Sequence, residues 1–427
     1  MTTTLFCTVG GSHQPLVTAI RAAKPDYVVF LCTGRDPATG KPGSRQQIEG
    51  MGLVIKASPQ DDKPSLPAIP AQCDLPKGSW EVVEVSADDL VAALAAIKAR
   101  MTRLRAELGG RILADYTGGT KSMSAALVMA AVETPGVDLQ LVTGARSDLV
   151  KVVDHTQTAV AAAASLLRFR QDARLALTTW GRYAWQEAAE MLSELEAPGE
   201  PRLRALWQRA KDVSAGLAAW DRFDHRGALD RLKPYEAVFA PSFPEHYVAL
   251  KRMAEGGDAA DGYRVWDLWL NAWRRATDGR LDDAVARVYR LLEWTAQWQL
   301  QTAKGWRTGD LPKDIAEPAG ITANRDGRYQ AGLWSAWQLA AFHCGEPVAG
   351  FLESEGGAVL DRLHRRNQSI LAHGFSAIDA GEWGGVWAPW LREVYEPLLR
   401  QLLARSGIRN PPPQLPNAYP WEEEFGP

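Results

Sequence analysis

At 427 residues the chain is long enough for two or three domains with cores of their own. A formal net charge of −3 excludes a surface that grips nucleic acid over its whole extent, so any such contact is local. Cys7, Cys32, Cys73 and Cys344 form no C-x-x-C pair, which argues against a disulfide frame and for free thiols in a reducing cytoplasm. The opening MTTTLFCTVG enters a strand-like run with no basic segment ahead of it, and no later stretch approaches about 18 apolar residues. These features predict a soluble cytoplasmic protein with no membrane association.

Taken in order, the first half alternates strands and helices. TLFCTV, Thr4 to Val9, closes on Gly10-Gly11-Ser12 before the helical QPLVTAIRAA. Four more strand-like runs follow: Tyr27 to Cys32, ending at Thr33-Gly34-Arg35; Trp80 to Val85; Arg111 to Asp115, ending at TGGTK; and Leu139 to Thr143, ending at Gly144-Ala145-Arg146. Helices are predicted over Leu90 to Leu108 and Ser122 to Glu133. Between Asp36 and Lys77 the sequence reads as a helix-containing connection and a long exposed loop. Such alternation predicts an α/β, Rossmann-like doubly wound sheet that binds ligands over the carboxyl ends of its strands.

The loop DYTGGTKSM, Asp115 to Met123, has the makings of an anion seat. Two glycines admit close backbone approach, a helix start offers unpaired N–H groups, and Lys121 adds charge. It is not a Walker A loop, because Thr120 stands where that motif requires glycine, and Gly10-Gly11 lacks the G-x-G-x-x-G spacing of a dinucleotide site. The predicted topology gathers Gly10, Gly11, Ser12, Thr33, Gly34, Arg35, Thr117, Gly118, Gly119, Thr120, Lys121 and Arg146 at one sheet edge as candidate ligand-binding residues.

From about residue 165 the strand signal gives way to helical periodicity, predicting an all-α second half. Only one of the 17 tryptophans, Trp80, precedes residue 180, so composition shifts at the same boundary. Trp266, Trp269 and Trp273, and Trp294 and Trp298, have helical spacing and read as packing residues. AVARVYRLLEWTAQWQL, from Ala284, is amphipathic, with Tyr289, Arg290 and Glu293 near one edge.

HRRNQSILAHGF, His364 to Phe375, is the stretch that carries candidate chemistry. On one continuous helix, seven residues turn through roughly 700°, so Arg366 and His373 would leave the same edge. Leu360, Leu363, Ile370 and Leu371 would form an apolar core stripe beside them, with Asn367 buried at about +100° among the leucines. Guanidinium and imidazole suit charge stabilisation and proton transfer at a phosphodiester. The two would be roughly 10 Å apart along the axis, which favours two antiparallel copies about a two-fold axis. His364 reads as a surface residue, and His13, His155, His225, His246 and His343 have no ligand-like spacing, so no metal is assigned.

R-N-x-x-x-x-x-H on a late helix resembles the R-x(4-6)-H signature of HEPN ribonucleases. The TGGTKSMSA loop, with GGS after the first strand, resembles the CARF sensor domain of CRISPR-associated ancillary proteins. Together with the Ala284 segment, these similarities point to the CARF-HEPN proteins of type III CRISPR systems. The resemblance implies a sensor at 1–165, a helical connecting region at 166–280 and a HEPN-like ribonuclease at 281–427. It further implies a homodimer that binds cyclic oligoadenylate as allosteric activator and cleaves single-stranded RNA without metal or other cofactor in antiviral defence. Arg366 and His373 would be the catalytic pair, supported by Asn367, and the products a 2′,3′-cyclic phosphate and a 5′-hydroxyl.

Two alternatives stand beside this expectation: a non-catalytic nucleotide-sensing regulator that binds a partner, and a sensor that also cleaves its ring through Ser12, Thr117 and Thr120. A restriction-type nuclease is disfavoured, since Asp61-Asp62-Lys63 lies in a proline-rich loop rather than on a strand-helix scaffold.

Overall fold

A computed structural model describes residues 2–36, 40, 43–55, 66–143, 158–162 and 164–426. The chain divides into two compact units, Met1–Gln171 and Asp172–Pro427.

The first unit runs β1 (Thr3–Thr8), α1 (Gln14–Ala23), β2 (Tyr27–Cys32), α2 (Gln46–Glu49), β3 (Leu53–Ile55), β4 (Leu66–Pro67), α3 (Ile69–Gln72), β5 (Trp80–Glu84), α4 (Leu90–Leu108), β6 (Arg111–Asp115), α5 (Lys121–Glu133), β7 (Val137–Thr143) and β8 (Thr158–Ala162). The main sheet has the order β5-β2-β1-β6-β7-β8. β5, β2, β1, β6 and β7 are mutually parallel, and β8 joins antiparallel at the edge. A doubly wound α/β sheet is therefore present, as its alternating pattern predicts, with an antiparallel edge strand that the sequence did not announce. The connection after Asp36 also holds a small antiparallel pair, β3 with β4, where a long loop was expected.

Side-chain alternation explains why this sheet is covered on both faces. Phe6, Val29, Leu31, Ile112 and Ala114 pack with Ile97 and Met101 of α4 and Ala126 and Leu127 of α5. Leu5, Cys7, Val28, Phe30 and Leu113 face Leu16, Val17 and Ile20 of α1 on the other side. Each fully buried aliphatic or aromatic side chain contributes about 1.5–3 kcal/mol relative to exposure. Burial also pushes the Cys32 thiol up to about 12, so it is an inert packing group.

The second unit is helical. The division falls within α6 (Ala164–Thr178), which is followed by α7 (Trp185–Glu194), α8 (Pro201–Asp221), α9 (His225–Leu232), α10 (Glu236–Ser242), α11 (Pro244–Glu255), α12 (Asp258–Thr277), α13 (Leu281–Lys304), α14 (Lys313–Ala316), α15 (Leu333–Cys344) and α16 (Val348–Asn367). Its core is built from α12, α13, α15, α16 and the C-terminal helix Glu396–Arg405. Trp266, Trp269 and Trp298 are buried in it, and Trp273 and Trp294 pack against its margin, in keeping with a packing role. Among the described residues, no helix is long and apolar enough to cross a membrane.

A buried ionic network ties α8, α9 and α12 together. Arg274 is 1% exposed and donates to Asp221 at 2.8 Å and to Asp267 at 3.1 Å, while His225 meets Asp267 at 3.2 Å. Burial alone would raise the Asp267 carboxyl, but Arg274 and His225 outweigh it and hold Asp267 below the ordinary carboxylate range.

Candidate functional site

In the first unit the candidate residues collect where β1 and β6 end side by side. Gly118 lies against β1 so closely that a Cβ there would stand 2.3 Å from the Thr8 carbonyl oxygen, and one on Gly10 would stand 2.6 Å from the Gly119 amide nitrogen. Gly119 itself has φ +79°, a left-handed conformation that favours glycine. The two glycine loops are thus one interlocked backbone surface. Thr8 and Ser124 both donate their hydroxyls to the Gly118 carbonyl at 2.7 Å.

The threonines of this loop are largely committed to the protein. Thr117 accepts from the Val142 amide at 2.8 Å, and its own amide donates to Asp115 at 3.1 Å. Asp115 is buried, which raises its carboxyl, although hydrogen bonds from Thr117 and Gln140 oppose that shift. Thr120 caps α5 by accepting from the Met123 amide at 3.2 Å, and its hydroxyl donates to the Ala87 carbonyl. Lys121, the first residue of α5, is exposed, as are Gly11 and Ser12.

After β2, Thr33 is locked to Ser44 by a reciprocal pair: each amide donates to the other's hydroxyl oxygen at 2.9 Å. A Cβ on Gly34 would meet Glu84 at 2.1 Å, and exposed Arg35 donates to the Gly40 carbonyl at 2.8 Å. Arg146 lies outside the described residues. The structure adds Gln47 of α2, whose Nε2 donates to the Gly10 carbonyl at 2.6 Å while its Oε1 is enclosed without a partner. Nothing in the sequence marks Gln47, because it rides on a four-residue helix inside a proline- and glycine-rich connection.

In the second unit, the expectation of one helix carrying both Arg366 and His373 is corrected. α16 ends at Asn367, and His373 stands in a tight loop beyond it. Ser369 takes over the end of the helix, donating both its amide (3.0 Å) and its hydroxyl (2.8 Å) to the Arg366 carbonyl. The His373 amide donates to Asn367 O at 3.2 Å, so the last helix carbonyl is satisfied by the returning chain, and the Gly374 amide donates to Ser369 O at 3.2 Å within the loop. Gly374 approaches so near that a Cβ would be 1.8 Å from Gln368 O. A helical wheel has no means of registering this reversal.

Two further expectations fall with that helix. Asn367 is exposed rather than buried, and its Oδ1 accepts from Arg366 Nη1 at 3.1 Å. Leu360, Ile370 and Leu371 are not a core stripe but are 45%, 52% and 50% exposed, with Phe375 at 94% beside them. His364 is exposed, as expected, and lies 2.9 Å from the Gln368 amide nitrogen.

Arg366 is half-buried at the end of α16, its guanidinium carbon 4.1 Å from the centre of the Tyr289 ring on α13. Its Nε is enclosed without a hydrogen-bond partner. Neighbouring Arg365 lies 3.8 Å from Glu382, whereas among the described residues no carboxylate pairs with Arg366. His373 is exposed. Arg290, on the same helix as Tyr289, is paired with Glu293 at 2.7 Å. Among the described residues, no group of three or more His, Cys, Asp or Glu side chains converges as a metal cluster.

A mostly parallel sheet with interlocked glycine loops at the ends of β1 and β6 is followed by a helical unit bearing Arg366 and His373. Residues 257–388 match the family model of the Csm6 HEPN domain, a span that holds Tyr289, Arg366 and His373. The fold is also that of Enterococcus italicus Csm6 bound to cyclic hexa-2′-fluoro-hexa-dAMP, with a TM-score of 0.57 at 12% identity over 100% of this chain and 97% of that one. No curated protein matches the sequence of this chain.

Proposed function

We propose that the protein is a cyclic-oligoadenylate-activated endoribonuclease of type III CRISPR antiviral defence, working in the cytoplasm as a homodimer. The observation that carries this reading is Arg366: a half-buried cation with no carboxylate partner among the described residues, on the same short segment as an exposed histidine, inside the span that matches the Csm6 HEPN domain.

The chemistry follows from the substrate. The ribose 2′-hydroxyl attacks the adjacent phosphorus, the bond to the 5′-oxygen breaks, and that oxygen takes a proton. The products are a 2′,3′-cyclic phosphate and a 5′-hydroxyl, and the nucleophile comes from the RNA itself, so the proposed reaction uses no metal. Arg366 stabilises the charge on the phosphorane, and His373 moves the proton at the 2′-oxygen or the leaving oxygen. Asn367 sits against the guanidinium as a support.

Leu360, Ile370, Leu371 and Phe375 of the same stretch are exposed, and a second copy covering them would bring two Arg-His pairs together. The seat formed by Gly10 to Ser12, Thr33 to Arg35 and Thr117 to Lys121 is read as the receptor for the ring, with Arg146 as a further candidate. Enterococcus italicus Csm6 binds a cyclic hexa-adenylate analogue, which supports this assignment. Because the Thr117 and Thr120 hydroxyls hold backbone partners, the seat is read as a receptor rather than a ring-cutting site. Incubating the protein with end-labelled single-stranded RNA in EDTA, with and without cyclic tri-, tetra- and hexa-adenylate, tests the reading. Ring-dependent cleavage is expected, and no cleavage with any ring would refute it.

A further inference from the structure

We propose that Tyr289 is a positioning residue for the reaction, holding the Arg366 guanidinium by its ring face so that the cation is oriented without being neutralised. The inference rests on the ribonuclease reading above and deepens it.

A catalytic arginine has two conflicting needs. Its plane must be fixed before the phosphorane forms, yet its charge must stay available to that phosphorane. A carboxylate partner would meet the first need and defeat the second. Arg366 has no such partner among the described residues; its guanidinium carbon lies 4.1 Å from the Tyr289 ring centre, close to the separation of packed atoms, and its Nη1 donates only to the neutral amide oxygen of Asn367. The ring quadrupole attracts the cation but removes none of its charge.

The platform is itself rigid. Tyr289 lies within the 24-residue α13, between Val288 and Leu291, both 0% exposed, and its partly buried ring packs against the core of the helical unit. The loop that carries His373 is followed by Ile378, whose amide donates to Asp282 at the start of α13 at 3.2 Å. One helix therefore braces the segment on which both candidate groups stand.

The ring face of Tyr289 does the orienting, and its hydroxyl takes no part. The test is the steady-state cleavage of fluorophore-labelled single-stranded RNA by full-length protein in EDTA with saturating cyclic hexa-adenylate, comparing wild type, Y289F, Y289L and R366A. Y289F is expected to keep kcat within about twofold, whereas Y289L lowers kcat by roughly 5- to 30-fold at nearly constant KM. Y289M, flexible and of similar volume, replaces Y289L if the latter loses more than about 5 °C in Tm. Equal losses in Y289F and Y289L would overturn the proposal, as would a loss confined to KM. Should R366A be inactive and Y289L fully active, only the Tyr289 inference falls. Should R366A cleave as wild type does, or wild type not cleave, the ribonuclease reading fails and takes this one with it.

Discussion

Arg366 stacks on Tyr289, its guanidinium carbon 4.1 Å from the ring centre, in a contact between two residues 77 positions apart in sequence, with no carboxylate paired to the cation among the described residues. In the same stretch of sequence Leu360, Ile370, Leu371 and Phe375 are exposed, a run of apolar surface that a second copy would cover. Substituting Ile370→Asp together with Leu371→Asp places two charges on that surface. Sedimentation velocity is expected to show a shift from dimer to monomer, with RNA cleavage reduced at least 100-fold and the melting temperature little changed. A dimer that survives this pair would move the interface elsewhere.

Gly374→Ala tests the loop rather than the chemistry. A Cβ there meets Gln368 O at 1.8 Å, so the reversal beyond α16 must open and His373 must move. Turnover is expected to fall at least tenfold, while Tm changes by only a few degrees because the loop is exposed; both are read from one preparation by RNA cleavage and thermal unfolding.

The proposed ring seat is shaped by close backbone approach at its glycines. Gly118→Ala places a Cβ 2.3 Å from Thr8 O and separates the two glycine loops, whereas Lys121→Ala removes a charge at the start of α5. By calorimetric titration with cyclic hexa-adenylate, affinity is expected to drop at least tenfold in the first variant and about threefold to tenfold in the second.

How much of this could be read from the sequence follows from the range of each signal. The parallel sheet was legible because alternating strands and helices are local patterns, and the glycines after β1 and β6 point to one sheet edge once the topology is known. Arg366 and His373 are legible as residue types at a spacing, but their geometry is not: Ser369 and the His373 amide close the helix end through hydrogen bonds that a periodicity argument ignores. That error also placed Asn367 and three apolar residues on the wrong side. Tyr289 was noticed on its helix edge, yet its contact with Arg366 joins separate helices and has no local trace. Gln47 and the edge strand β8 were missed for the same reason.

The ionic network in the helical unit sets an acid limit. Asp267 is held below its ordinary range despite burial, so folding favours its ionised form. That contribution is complete above the unfolded carboxylate range and is lost as pH falls through the lower, folded value; stability should therefore drop as pH falls from about 4 downward. Arg274→Met leaves Asp221 and Asp267 buried without their shared cation and is expected to cost about 3–5 kcal/mol. Urea unfolding at pH 7 checks the second expectation, and a pH series of melting temperatures the first.

Under the proposed function a ring bound in the first unit switches on RNA cleavage by Arg366 and His373 in the second. The most direct measurement pairs RNA cleavage in EDTA with ring binding by calorimetry, for wild type, Arg366→Ala and His373→Ala. Wild type should cleave only with a cyclic oligoadenylate, leaving 2′,3′-cyclic phosphate ends, and both variants should bind the ring normally while losing at least 100-fold in cleavage. Undiminished cleavage by His373→Ala would contradict the account.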